Sequence, residues 1–126
     1  MPKTILDTPH GPTPMGPYSI AVEAGGFVFV SGQVAVDSET GLPVAGDVAA
    51  QTRQVMRTIG AVLGDVGLGY EDIVKTTIFL ADIADFPVVN PVYREYVGSA
   101  PPARSTVEVS ALPGGFLVEI EVIAAR

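Results

Sequence analysis

The chain contains no cysteine, and His10 is the only histidine among its 126 residues. Without cysteine there can be no disulfide, no thiolate nucleophile and no cysteine-ligated zinc. His10 lies in a segment rich in proline and glycine, so we expect neither a Ser-His-Asp triad nor a histidine general base. A single histidine also rules out a multi-histidine metal site, and we predict that the protein binds no metal.

Charged residues are also scarce, and most of them are acidic. The 7 basic and 14 acidic side chains give a net charge of −7, which argues against a nucleic-acid partner. Charged residues make up 17% of the chain, whereas soluble domains average about 25%. A monomer of this size would have difficulty covering its surface with polar groups, so the composition favours self-association; a very apolar monomer is the alternative.

Long apolar runs and targeting patterns are absent as well. The sequence has no apolar run of the roughly 18 residues that a membrane span needs, and its first residues lack the order of a signal peptide. We therefore expect a cytoplasmic protein with no membrane partner. The chain shows no repeat, low-complexity tract or linker, and its length suits a single domain over residues 1–126.

The first half of the chain predicts a β-hairpin followed by a long helix. Residues 1–17 are rich in proline and glycine and should be irregular. Apolar runs then flank Ala24-Gly25-Gly26, which predicts a hairpin. Asp47 suits the N-cap of a helix that stops at Gly67. Its predicted buried stripe follows intervals of three and four: Val48, Thr52, Val55, Ile59, Val62 and Val66.

The second half predicts another helix among three strands. The β-branched residues from Ile73 to Ile78 favour a strand, and "ARSTVEV" and "FLVEIEVIAA" supply two more. Asp85 suits the start of a helix that reaches about Val97, and Pro91 in its interior predicts a kink or a late start. The resulting order, β-β-α-β-α-β-β, indicates an α+β fold in which two helices cover one face of one sheet.

Alternation along the last two strands separates apolar from polar side chains. The apolar set suits a position under the helices: Val107, Val109, Val118, Ile120 and Val122. The face without helices then carries the polar set: Ser31, Arg104, Thr106, Glu108, Glu119 and Glu121. The simpler interpretation is an exposed face with cross-strand ion pairs. The alternative is a ligand pocket between subunits, in which the Arg104 guanidinium clamps a carboxylate.

Several segments together resemble the Rid family of reactive intermediate deaminases, also called the YjgF family. They include "GPYSIAV", "VFVSGQV", "PPARSTVEVSALP" and "VEIEVIA", and the resemblance extends from about Gly16 to Ala124. "SGQ", "PPARS" and "EIE" are jointly specific at these separations, although each alone is weak. The resemblance implies a chorismate-mutase-like α+β fold and a homotrimer, in which the sheets form a central barrel and the active sites lie between subunits.

The resemblance also implies an activity, namely the hydrolysis of 2-imino or 2-enamino acids, such as 2-aminoacrylate, to 2-oxo acids and ammonia. It implies no metal or organic cofactor, and a small-molecule substrate as the partner besides the other subunits. One alternative is a pathway-specific deaminase of an aminomuconate-type enamine, and another is a non-catalytic trimer that binds small carboxylates. Some members are described as endoribonucleases, but the net charge of −7 disfavours that activity here.

The family's site residues carry over by position. Arg104 in "PPARS" would hold the substrate carboxylate, and Glu119 in "EIE" would position and polarise the attacking water. The other positions would line the cleft or offer hydrogen bonds: Tyr18, Ser31, Gly32, Asn90 and the backbone around Thr106. A structural role is the alternative for Tyr18, Ser31 and Gly32. For Asn90 the alternative is a helix-cap or turn residue. Glu108 and Glu121 are interpreted as structural ion-pair partners.

Two positions depart from the family pattern. Thr106 stands where many members carry cysteine, so any role that needs sulfur is absent here. Pro91 directly after Asn90 is unusual and could shift the second helix against the cleft. Both differences bear on substrate preference more than on the class of reaction.

Overall fold

The six strands and two α-helices of the computed structural model, which describes residues 2–126, form one six-stranded sheet with helices on one face. In chain order they are β1 (Thr4–Ile5), β2 (Ala21–Ala24), β3 (Phe27–Gln33), α1 (Val48–Asp65), β4 (Ile73–Leu80), α2 (Phe86–Val97), β5 (Ala103–Glu108) and β6 (Val118–Ala125). The sheet order is β1-β2-β3-β6-β4-β5, and only the β4–β5 pair is parallel. The predicted α+β class is confirmed, and the predicted order β-β-α-β-α-β-β matches the elements from β2 to β6.

The prediction that residues 1–17 are irregular is wrong at β1, which pairs antiparallel with β2 and sets Thr4 opposite Glu23. A two-residue strand is too short to show alternation in the sequence. His10 then fastens the segment to the end of α1: its backbone N–H donates to Asp65 (2.8 Å), and its ring lies 2.6 Å from the other carboxylate oxygen. That hydrogen bond, together with the Asp65 charge, raises the pKa of His10.

The hairpin and the first helix follow the predictions. β2 and β3 pair across a turn in which Gly25 and Gly26 have φ angles of 61° and 83°. At the start of α1, the Asp47 side chain accepts a hydrogen bond from the Ala50 N–H (2.9 Å). Gly67 follows the end of α1 with a φ of 81°, a left-handed conformation that favours glycine.

The second helix begins at Phe86 and continues through Pro91 without interruption, so the predicted late start is wrong. Pro87 lies in the first turn, where a backbone N–H has no partner within the helix. Pro91 removes only the bond to the Pro87 carbonyl, and the helix is retained by its buried side chains: Val89, Val92 and Tyr93. Within residues 2–126, no helix has the length and hydropathy needed to cross a membrane.

Both helices pack on the same face of the sheet, and β6 supplies the centre of that core. The register sets Ile78 beside Ile120 and Val30 beside Val122, and none of the four is more than 4% exposed. The prediction that two helices cover one face is confirmed. The open face carries partly exposed apolar side chains: Phe27, Phe29 and Val107.

The side chains of the edge strand β5 point to the opposite faces of the sheet from those predicted. Its parallel pairing places Arg104 beside Thr76 and Thr106 beside Ile78, and both β4 residues face the helices. The sequence analysis placed these side chains on the face of Glu119 and Glu121, but the structure places them on the helix side of the sheet: Arg104, Thr106 and Glu108. Alternation separates two sets of side chains, but it does not show which set is covered when an edge strand is partly exposed on both faces.

We expect replacement of the helix cap to lower stability measurably. In Asp47→Ala, the Ala50 N–H loses its acceptor, which should reduce the free energy of unfolding by about 1 kcal/mol. Chemical denaturation at a fixed protein concentration measures this difference. Asp47→Asn retains a capping oxygen and should stay near the wild type. Equal midpoints for Asp47→Ala and the wild type would show that the cap contributes nothing.

Candidate active site

A cleft of about 960 Å³ opens beside the sheet where β3 and β6 meet the N-terminal segment. Four of the seven predicted site residues line it: Tyr18, Ser31, Gly32 and Glu119. Further walls come from segments that the sequence did not indicate, namely residues 12–15, 36–41 and 113–116. These wall segments are loops and, at Pro113–Gly115, a short 3-10 helix. Their contribution to a cleft depends on tertiary packing and leaves no periodic pattern in the sequence.

An irregularity in β3 shapes the floor of the cleft. The pairing of β3 with β6 shifts register between Val30 and Gln33, which is typical of a β-bulge. Within it, the Ser31 hydroxyl donates to the Ser19 carbonyl (2.6 Å), and the Gln33 side-chain amide donates to the Ser31 carbonyl (2.9 Å). Ser31 therefore holds the bulge to the segment just before β2 while lining the cleft, so it has a structural role at this site.

Gly32 makes room for the Glu119 carboxyl group. A Cβ atom at position 32 would collide with Oε2 of Glu119 and lie 2.8 Å from its Cδ. Gly32 is not among the glycines with a positive φ, so its role is to provide space rather than an unusual backbone conformation. Any side chain at this position would have to displace the Glu119 carboxyl group.

The surroundings of the Glu119 carboxyl group disfavour its charged form. Burial raises its pKa, and repulsion from the Glu121 charge raises it further. Among residues 2–126, Glu119 has no ion pair and no side-chain hydrogen bond. A carboxylate whose pKa is raised takes up protons more readily near neutral pH than an ordinary glutamate does.

Tyr18 lies at the rim of this cleft, as the resemblance implied. Its side chain is half-exposed, and its hydroxyl accepts a hydrogen bond from the Met15 N–H (3.3 Å). The phenol therefore stabilises the loop that forms one wall of the cleft.

Arg104 lies on the helix side of the sheet, over two aromatic rings of α2. Its guanidinium carbon is 5.2 Å from the ring centroids of both Phe86 and Tyr93, within the range of a cation–π interaction. In the part of the chain that the structure describes, Arg104 has no ion pair and no side-chain hydrogen bond. Residues 2–126 therefore supply no anionic partner for the Arg104 guanidinium.

Thr106 and Asn90 belong to the same side of the sheet as Arg104. The Thr106 hydroxyl oxygen is buried and has no hydrogen-bond partner among residues 2–126. Asn90 is one turn after Phe86 in the interior of α2, on the same helix face, so the alternative of a cap or turn is wrong. Neither residue lines the cleft that holds Glu119.

The predicted site residues therefore form two groups on opposite sides of the sheet. The cleft group consists of Tyr18, Ser31, Gly32 and Glu119, and the arginine group consists of Asn90, Arg104 and Thr106. Sequence reasoning missed Phe86 and Tyr93 as contacts of Arg104. Their helical spacing was visible, but it indicates only a shared face and not the strand residue that packs on it.

Cross-strand ion pairs do not explain the polar residues of the sheet. The ion pairs within residues 2–126 are His10–Asp65, Arg53–Glu95 and Arg126–Glu23. The interpretation of Glu108 and Glu121 as ion-pair partners is therefore wrong; Glu108 instead accepts a hydrogen bond from the Ile83 N–H (2.9 Å). The same residues include no cluster of three or more acidic or histidine side chains that could hold a metal ion.

The structure thus shows a small α+β protein with Glu119 in a cleft on one side of its sheet and Arg104, which has no ion pair among residues 2–126, on the other. The sequence profile described as endoribonuclease L-PSP matches residues 8–126. The chain belongs to this family, which includes the Rid proteins. The resemblance noted in the sequence is confirmed.

Relatives of this chain include proteins named as deaminases. A RutC family protein of Pyrococcus horikoshii is 48% identical over 124 residues, covering 98% of each chain. The chloroplastic Reactive Intermediate Deaminase A of Arabidopsis thaliana is 45% identical over 122 residues, or 97% of this chain and 65% of that protein. The 2-iminobutanoate/2-iminopropanoate deaminase of Mus musculus is 39% identical over 124 residues, or 98% and 92% of the two chains.

Solved structures have the same fold. A Rid family protein of unknown function from Yersinia pestis superposes with a TM-score of 0.94 at 48% identity, covering 99% of this chain and 100% of that one. TdcF of Escherichia coli, crystallised with bound serine, superposes with a TM-score of 0.89 at 38% identity, covering 98% of both chains.

Replacing Gly32 should change the surroundings of Glu119 without unfolding the protein. In Gly32→Ala, the new methyl group should push the Glu119 carboxyl group towards solvent, because the end of a flexible side chain yields more easily than backbone does. The pKa of Glu119 should then fall towards its ordinary value, as an NMR titration of the glutamate carboxyl carbons would show.

Gly16→Ala is the matched control, because a Cβ atom at Gly16 meets no heavy atom within 4 Å. This variant should leave the Glu119 titration unchanged. If the Glu119 titration of Gly32→Ala also coincides with that of the wild type, Gly32 does not control the environment of this carboxyl group.

Proposed function

We propose that the protein is a hydrolytic deaminase that converts 2-imino and 2-enamino acids to 2-oxo acids and ammonia. The observation that carries the proposal is the Arg104 guanidinium, which rests on two aromatic rings and has no anionic partner among residues 2–126. Glu119 supports it as a carboxylate with a raised pKa in a cleft. The names of the Arabidopsis and mouse relatives point to the same reaction.

The reaction needs a carboxylate anchor and a base for water. Arg104 would bind the substrate carboxylate through two parallel N–H donors, a geometry that a planar guanidinium offers and an ammonium does not. The Glu119 carboxylate would accept a proton as water adds to C2 of the protonated imine. That proton then passes to the nitrogen, the C–N bond breaks, and ammonia leaves as the C2 hydroxyl becomes a carbonyl and gives its proton to the Glu119 carboxylate. An enamine enters the same route after protonation at C3.

We further propose that the complete site lies between copies of the chain. Arg104 and Glu119 lie on opposite sides of the sheet, so one substrate can reach both groups only if they come from neighbouring subunits. The partly exposed Phe27, Phe29 and Val107 on the open face support burial by another copy, as does the low content of charged residues. A homotrimer, which the family resemblance implies, would supply such contacts.

The substrate is expected to be a small amino-acid derivative. The serine bound to TdcF shows that a protein of the same fold binds a small carboxylate. There are two alternatives: a pathway-specific enamine deaminase and a non-catalytic trimer that binds carboxylates. Measuring imine hydrolysis separates the non-catalytic trimer from a deaminase. The family description names an endoribonuclease, but the net charge of −7 opposes binding of a polyanion. The cytoplasmic location stays a prediction.

The central test is imine hydrolysis with and without Arg104. An amino-acid oxidase would release 2-iminobutanoate in the presence of semicarbazide, and the formation of 2-oxobutanoate would be followed. The wild type should accelerate it. Arg104→Ala should lower kcat/KM by roughly tenfold to 150-fold, the usual effect of losing a hydrogen-bonded charged group.

Arg94→Ala is the matched control, because Arg94 is exposed on α2 and has no ion pair among residues 2–126. It should retain wild-type activity. Saturable binding of 2-oxobutanoate without any acceleration by the wild type would favour the carboxylate-binding alternative. Equal activity of Arg104→Ala and the wild type would contradict the assignment of Arg104.

The pH dependence should report the environment of Glu119. As pH falls, protonation of Glu119 removes the base, and its raised pKa places this loss of kcat/KM above the usual range for glutamate. Glu121→Gln removes the repulsion that contributes to the shift, so the acidic limb of its profile should move to lower pH. Glu119→Gln should bind 2-oxobutanoate but lose turnover.

Glu71→Gln serves as the control for this series, since Glu71 is an exposed carboxylate outside both residue groups. Its profile should coincide with that of the wild type. Coincident profiles for Glu121→Gln and the wild type would contradict the coupling of the two glutamates. Undiminished turnover by Glu119→Gln would exclude Glu119 as the base.

A further inference from the structure

Arg104 is tied to the protein core through a buried pair of hydroxyl groups. Thr76 and Arg104 are direct partners in the β4–β5 pairing. The Thr76 hydroxyl lies 2.7 Å from the Tyr93 hydroxyl, and the Tyr93 ring lies beneath the Arg104 guanidinium. Three residues from two strands and one helix therefore form a closed set of contacts, with Phe86 as a second ring beside the guanidinium.

We propose that Tyr93, anchored by Thr76, and Phe86 are positioning residues that fix the Arg104 guanidinium for a substrate carboxylate. The inference rests on the proposed function and adds the residues on which the affinity for the carboxylate depends. We call Phe86 and Tyr93 the aromatic platform.

The platform suits this task because it contacts the guanidinium without occupying its donors. A cation–π contact uses the ring face, whereas a carboxylate binds the N–H groups at the edge of the guanidinium. An internal carboxylate would also hold Arg104, but it would compete with the substrate. Stacking removes side-chain freedom before the ligand arrives, so less entropy is lost on binding. The two rings thus leave Arg104 ordered and still unpaired.

The hydroxyl pair explains how the Tyr93 ring keeps its place. Thr76 is fully buried and Tyr93 is 4% exposed, so breaking their hydrogen bond would leave two polar groups unsatisfied in the core. Valine and phenylalanine would fill similar volumes without that constraint. Burial raises the pKa of Tyr93 despite the nearby Arg104 charge, and the neutral phenol can keep its hydrogen bond to Thr76.

A pair of double variants separates the role of the ring from that of the hydroxyl group. Thr76→Val/Tyr93→Leu and Thr76→Val/Tyr93→Phe both remove the hydroxyl pair, and they differ only in the aromatic ring. Removing both partners of a hydrogen bond together avoids an unsatisfied group in the core. Phe86→Leu tests the second ring at a half-buried position, where truncation opens less of the core.

Calorimetric titration with 2-oxobutanoate is the first readout, and kcat and KM for 2-iminobutanoate are the second. Thr76→Val/Tyr93→Leu should bind 2-oxobutanoate roughly fivefold to thirtyfold more weakly than the wild type, the range expected for a lost cation–π contact. Phe86→Leu should lose about fivefold. Restoring the ring in Thr76→Val/Tyr93→Phe should recover most of the affinity, and the loss that remains measures the anchoring by the hydroxyl pair. The loss should appear in KM while kcat stays within about twofold, since the platform does not touch the reacting carbon.

Circular dichroism and sedimentation would establish that each variant is folded and assembled like the wild type. Equal weakening in the leucine and phenylalanine double variants would overturn the role of the ring, and so would a loss confined to kcat. If Thr76→Val/Tyr93→Leu does not fold, unchanged affinity in Phe86→Leu would overturn the proposal. A wild type that binds no 2-oxobutanoate would overturn the proposed function as well, whereas binding that is equal in all variants would overturn the platform alone.

Discussion

The alternation of side chains along β6 is the constraint on which the rest of the structure depends. β6 pairs with β3 on one side and β4 on the other, and it buries Val118, Ile120 and Val122 beneath the helices. Because successive strand residues point to opposite faces, Glu119 must then point away from the core. A shift of one residue would bury the carboxylates of β6 and expose its apolar side chains, at a large cost in free energy. The register that closes the core thus also presents the acid to the cleft.

The electrostatic character of the site follows from what surrounds these groups. Gly32 gives the Glu119 carboxyl group space against β3, and partial burial with a neighbouring Glu121 raises its pKa. On the other side of the sheet, aromatic rings rather than an acid hold Arg104. The proposed hydrolysis requires a carboxylate base whose pKa is raised and a cation that can bind an anion, and neighbouring copies of the chain would bring the two together.

Much of the fold was predictable from local signals, and the exceptions have physical causes. The Asp47 cap, the apolar stripe of α1 and the alternation of β6 each act over a few residues, and the structure confirms all three. β1 was missed because two residues carry no period. The helix predicted from Asp85 to about Val97 is confirmed, and only the late start considered because of Pro91 is wrong, since tertiary packing retains the helix around that residue. The face of Arg104 was assigned wrongly, because an edge strand without a fully buried side gives no indication of which set of side chains is covered.

For the site, the sequence by itself determined which chemical groups are available: no thiol, a single histidine, an arginine that opens one strand and a carboxylate within another. These are properties of residue identity and local spacing. Only the tertiary structure decided that Arg104 and Glu119 lie on opposite sides of the sheet, that Gly32 faces a carboxyl group, and that Phe86 and Tyr93 lie beside the guanidinium. Such contacts join residues distant in sequence, and they arise from strand pairing and helix packing, which short-range periodicity does not encode.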